Sequence, residues 1–121
     1  MSDVEFEDLV EDALAELPPE FRRHLRNVEV LIQDEPTREQ LRAVRAAPGQ
    51  TLFGLYHGVP LTLRTTTPPT FPDRVIIFRG PLLRHFRTPA EIQAQVRHTV
   101  LHEIAHFFGI SDDSLRELGA Y

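Results

Sequence analysis

The chain has 121 residues, 41% of them hydrophobic and 26% charged, with a net charge of −5 and no cysteine. That length and balance fit a single globular domain spanning residues 1–121, and no apolar run reaches the roughly 18 residues a membrane-crossing helix needs. Without cysteine there is no disulfide, iron–sulfur cluster, Cys-type zinc ribbon or thiol nucleophile.

Charge is unevenly distributed. Residues 1–20 hold eight acidic groups and no basic ones, so the remaining 101 residues, with thirteen basic and ten acidic side chains, are net positive by three. All thirteen basic residues are arginine, which genome composition explains well enough. An isoelectric point near 5.6 disfavours phosphate neutralisation, so no nucleic-acid partner is expected. The first ten residues, MSDVEFEDLV, lack the basic flank and apolar core of a secretory signal. The expectation is a cytoplasmic protein with no membrane partner.

Ser2 and Glu5 have capping-box spacing, and Phe6, Leu9, Val10, Ala13, Leu14 and Leu17 then mark one face of a helix that Pro18 and Pro19 end. The acidic face of that helix reads as solvated surface. Val28–Gln33 alternates like a strand, with Val28, Val30 and Ile32 on one side. A second helix is predicted over Thr37–Ala47, with Thr37 and Gln40 as a capping box and Pro48-Gly49 as its stop. Thr51–His57 reads as a strand, and the proline-rich Val59–Asp73 as a loop or irregular extended segment. Arg74–Arg79, with Val75-Ile76-Ile77-Phe78, suits a strand covered on both faces, and Pro81–Phe86 a brief helix or turn.

The clearest helix follows. Thr88 is its N-cap, Pro89 takes the favoured first position, Glu91 completes a third capping box, and Gly109 ends it. Ile92, Val96 and Val100 form its apolar stripe. A last short helix is predicted around Asp112–Leu118. The order predicts a small α+β domain.

The long helix contains His102-Glu103-Ile104-Ala105-His106, an H-E-x-x-H pattern. Residues four apart lie on one helical face, so two imidazoles can reach one small cation. Zinc suits nitrogen ligands, and a catalytic zinc takes three protein ligands and keeps one position for water. Glu103, beside the first histidine, can accept a proton from that water without ligating the metal. Beyond the pair the pattern extends to H-E-x-x-H-x-x-G-x-x-D. A chain reversal at Gly109 can bring Asp112 round as the third ligand, with Asp113 as the runner-up.

The segment QVRHTVLHEIAHFFGISDDSLREL (residues 95–118), with GLYHGVPL (54–61) and PDRVIIFRGPLL (72–83), resembles the minimal zincin-like metallopeptidase family of bacteria. The resemblance implies a compact zincin-like α+β core, a small sheet of three to four strands packed against an N-terminal helix and a C-terminal active-site helix. It also implies a zinc cofactor held by His102, His106 and Asp112, Glu103 as catalytic base, and a peptide or protein substrate. Other zincin branches fit less well. Metzincins carry a methionine turn below the metal, whereas the only methionine here is Met1, and a glutamate ligand on a later helix would have to be Glu117, near the chain's end.

His98 lies one turn before His102, where it reads as a solvated helix residue rather than a group facing substrate. His24, His57 and His85 read as surface or packing residues, Phe107-Phe108 as core, and Arg79, Arg84 and Arg87 as solvated. Tyr56 and Tyr121 are oxyanion donors in principle, but nothing in the sequence places either near the metal. The leading expectation is a zinc-dependent peptidase, and the alternative is a metal-binding protein without proteolytic activity that acts through protein contacts. A metal-dependent ribonuclease fits worst, since RNA-processing proteins with similarly spaced histidines have glycine where Glu103 stands.

Overall fold

The computed structural model describes residues 1–17, 19–22, 28–58 and 73–109. Helix α1 runs Asp3–Ala15, with the Ser2 hydroxyl accepting from the Glu5 amide at 3.1 Å. Its apolar face buries Phe6, Val10 and Ala13, and Leu17, just past the helix, stays buried with them. A short helix α2, Pro19–Arg22, follows where the sequence suggests only a stop. Proline is well placed at a helix start, because an amide there has no partner within the helix.

Strand β1 is Val28–Gln33. Helix α3, Arg38–Ala43, opens with the full reciprocal box expected of Thr37 and Gln40, at 3.1 and 2.8 Å. It ends short of the expected Ala47. Arg45 takes a left-handed conformation (φ 56°), and the Ala46 amide bonds back to Leu41 O while the Arg45 amide bonds to Arg42 O. These are the paired bonds of a Schellman stop. Pro48-Gly49 forms a separate turn, closed by Gln50 N–H to Ala47 O at 2.9 Å, with Gly49 at φ 81°.

Strand β2 is Gly54–His57 and β3 is Asp73–Phe78. Helix α4, Arg79–His85, leaves β3 directly and is the brief helix expected, beginning two residues before Pro81. Its first residue, Arg79, is not the solvated side chain expected. It is 27% exposed and clamps Asp3 at 2.6 Å and Asp34 at 3.1 Å, tying α1 to the end of β1. Arg84 is exposed as predicted and makes two bonds to Glu35, at 2.6 and 2.8 Å. Those bonds hold the Glu35 carboxyl below its ordinary range. Helix α5 spans Pro89–Phe107 and stops at Gly109 (φ 76°), as predicted. Its capping box is half formed: Thr88 accepts from the Glu91 amide, but the Glu91 carboxylate accepts from the Arg87 amide instead of Thr88.

The sheet order is β1-β3-β2, with β1 and β3 parallel and β2 and β3 antiparallel. Val30 lies opposite Val75 and Ile32 opposite Ile77, so the predicted alternation of β1 feeds the core face. The central strand β3 is buried on both faces except at Arg74. One core joins Phe6, Val10 and Ala13 of α1, Val75 and Ile77 of β3, Leu82 of α4, and Ile92, Val96, Val100 and Ile104 of α5. The fold is therefore a small α+β arrangement of a three-stranded sheet with an N-terminal and a C-terminal helix. Each fully buried large side chain adds about 1.5–3 kcal/mol of hydrophobic stabilisation. No helix among the described residues is long and apolar enough to cross a membrane. The expected loop at 59–72, the final helix at 112–118, His24 and Tyr121 lie outside the described residues.

Candidate metal centre

Helix α5 turns Ile92, Val96, Val100 and Ile104 into the core. His98, His102 and His106 form a second line, one turn apart, that stays half-buried at the helix's margin. The rings of His98 and His102 stack with centroids 6.1 Å apart, and those of His102 and His106 meet edge-on at 4.6 Å. His98 is therefore half-buried beside a proposed ligand, where the sequence suggests only a solvated helix residue.

Glu103 is 6% exposed. Its Oε1 accepts from the Tyr56 backbone amide at 2.9 Å and lies 3.2 Å from His106 Nδ1. With Nδ1 set against the carboxylate, Nε2 is the ring nitrogen suited to a metal.

The Tyr56 amide reaches Glu103 because of strand geometry. Phe53 O accepts from Phe78 N–H, so Phe53 and Leu55 turn their backbone groups toward β3, and Gly54 and Tyr56 turn theirs outward. Gly54 makes the close approach possible. A Cβ there would lie 2.6 Å from Thr99 Cγ2, where something must shift, and 3.0 Å from Glu103 Cγ, a tight contact. The Tyr56 hydroxyl points elsewhere, donating to the buried Asp73 carboxylate at 3.0 Å, and its ring packs edge-on against Phe107.

One donor atom from each of His102, Glu103 and His106 falls within 4.8 Å of the others. This donor set fits a small divalent cation. Imidazole nitrogens and a carboxylate oxygen are donor types that zinc takes. Asp112 and Asp113, the sequence's candidates for the third ligand, lie outside the described residues.

Residues 25–120 match the sequence profile of zincin-like metallopeptidases. The chain belongs to this family. A conserved hypothetical protein from T. thermophilus has a similar fold, with a TM-score of 0.56 over 98% of this chain and 97% of that one, at 23% identity. No curated protein matches the chain. In this zincin-like metallopeptidase the sequence pattern locates the two histidines and the glutamate, but not the backbone amide of Tyr56, the closeness of Gly54 or the stacking of His98. A glycine beginning a strand signals a close backbone approach, and that is the one trace of this junction in the sequence. His57 and Arg87 are exposed, His85 bonds Pro81 O and packs against Phe53, and Phe107 is buried core, as expected of each.

Proposed function

We propose that this protein is a zinc-dependent peptidase in which His102, His106 and Asp112 hold the metal and Glu103 is the general base. The observation that carries the reading is the anchoring of a buried carboxylate between the two imidazoles and the outer side of β2. When bound, zinc supplies Lewis acidity, polarising a carbonyl and lowering the pKa of water to about 7.

The chain's own groups do the rest. The Tyr56 amide and His106 Nδ1 hold Oε1 of Glu103, and among the described residues nothing bonds Oε2. Oε2 is thus the atom that takes a proton from an attacking water and later delivers it to the leaving amine. Burial of Glu103 against Thr99 and the β2 backbone restricts its rotamers, so the carboxylate is already aimed before substrate arrives. The substrate is an extended peptide that pairs by its main chain with an edge of the small sheet, which brings a scissile carbonyl within reach of the site.

The test is cleavage of a mixed peptide library by the zinc-loaded protein and by Glu103→Gln. Wild type should cleave, and the variant should keep its zinc but lose about 100-fold or more of the rate. A variant with full activity contradicts the role of Glu103. One zinc per chain with no cleavage by wild type favours a metal-binding protein without proteolytic activity.

A further inference from the structure

Beside the imidazoles a cleft of about 220 Å³ runs back along α5 toward its N-terminus. Phe53 and Gly54 line it from the β2 side and Gln95, His98 and Thr99 from the helix, while His102 and Glu103 close it at the metal end. Phe53, Gln95 and His98 have no task in binding the metal or moving the proton. We infer that this cleft is the subsite for one substrate side chain next to the scissile bond, and that Gln95 and His98 make it select a short carboxamide, asparagine above leucine. The side chain's place beside a scissile bond rests on the peptidase reading; the selectivity of the cleft does not.

Size sets the first limit. Clefts for drug-sized molecules run from about 300 to 1,000 Å³, while a cavity of about 150 Å³ takes a benzene ring. A space between the two suits a single side chain. Chemistry sets the second. Gln95 Nε2 lies 3.4 Å from Thr99 Oγ1, which leaves its other N–H and its carbonyl oxygen to a ligand. His98 adds the two nitrogens of its imidazole. A carboxamide presents two donors and an acceptor and can answer this mixed set, whereas an apolar side chain would strip water from it without return. Charged side chains are disfavoured from both directions: a carboxylate by Glu103, and a cation by any divalent ion on His102 and His106. Gly54 and Thr99 approach so closely that a methyl group at Gly54 would collide with Thr99, so this wall of the cleft is closed.

The experiment titrates N-acetyl-asparagine methylamide and N-acetyl-leucine methylamide into ¹⁵N-labelled, zinc-loaded protein and follows the amide resonances. The asparagine probe should shift residues 53–54 and 95–103 saturably and bind roughly tenfold more tightly than the leucine probe. That preference should vanish in Gln95→Leu and, independently, in His98→Leu. Equal or tighter binding of the leucine probe, or shifts confined to other parts of the chain, overturns the inference. A parallel peptide-library digest separates it from the reading above. Asparagine selected as a probe, with no peptide cleaved, upholds the ligand assignment and removes the peptidase reading. Cleavage beside leucine, unchanged in both variants, does the reverse.

Discussion

The Tyr56 amide donates to Glu103 Oε1 at 2.9 Å, joining the edge strand β2 to helix α5 across 47 residues of chain. One end of this bond is a backbone group fixed by the sheet, and the other is the carboxylate between the two histidines of the helix. The geometry of the proposed base is therefore set by how closely β2 lies against α5.

Gly54→Ala should damage the junction directly. Its new methyl group would meet Thr99 and Glu103 inside van der Waals contact, so either β2 or the Glu103 side chain must move. The expected cost is about 1–3 kcal/mol of stability, together with weaker zinc binding. Chemical denaturation and a competition titration with a chromogenic chelator measure the two effects. Wild-type values for both would mean that β2 and α5 are not held as closely as described.

Tyr56→Phe separates the ring's hydroxyl from the backbone amide. The hydroxyl donates to the buried carboxylate of Asp73, so its loss should cost about 1–2 kcal/mol. Zinc content and the rate of any peptide cleavage should stay at wild-type levels, because the amide that holds Glu103 remains. A large fall in rate with stability unchanged would instead make the hydroxyl part of the chemistry.

Arg45→Gly should stabilise the protein. Arg45 occupies the left-handed position of the α3 stop, where an L-residue with a side chain is strained by about 1–2 kcal/mol and glycine is not. The greater freedom of glycine in the unfolded chain offsets part of that gain, leaving roughly 0.5–1 kcal/mol. Thermal unfolding should show a rise of a few degrees, and a fall in Tm would contradict the assignment.

Local signals are legible in the sequence where the chain itself supplies both partners. Ser2, Thr37 and Thr88 cap the helices their spacing predicts, Gly109 stops α5, and the spacing of His102 and His106 brings the rings together. What stays hidden depends on distant parts of the chain. Arg79 reads as an ordinary surface arginine until Asp3 and Asp34 are brought to it by packing. The Tyr56 amide has no sequence signature at all, since every residue but proline carries one and only the sheet decides which way it points. His98 reads as solvated because helical spacing fixes its face but does not show that this face lines a cleft shared with Phe53 and Gly54. The early stop of α3 at Arg45 has no glycine to announce it, because its left-handed turn is closed by the Leu41 and Arg42 carbonyls.

Metal content by elemental mass spectrometry, on untagged protein purified without added metal, tests the metal centre most directly in wild type and His102→Ala. Wild type should carry about one zinc per chain, and the variant should lose it. A wild-type protein with no zinc, and no uptake when zinc is supplied, would contradict the central claim that His102 and His106 form a metal centre.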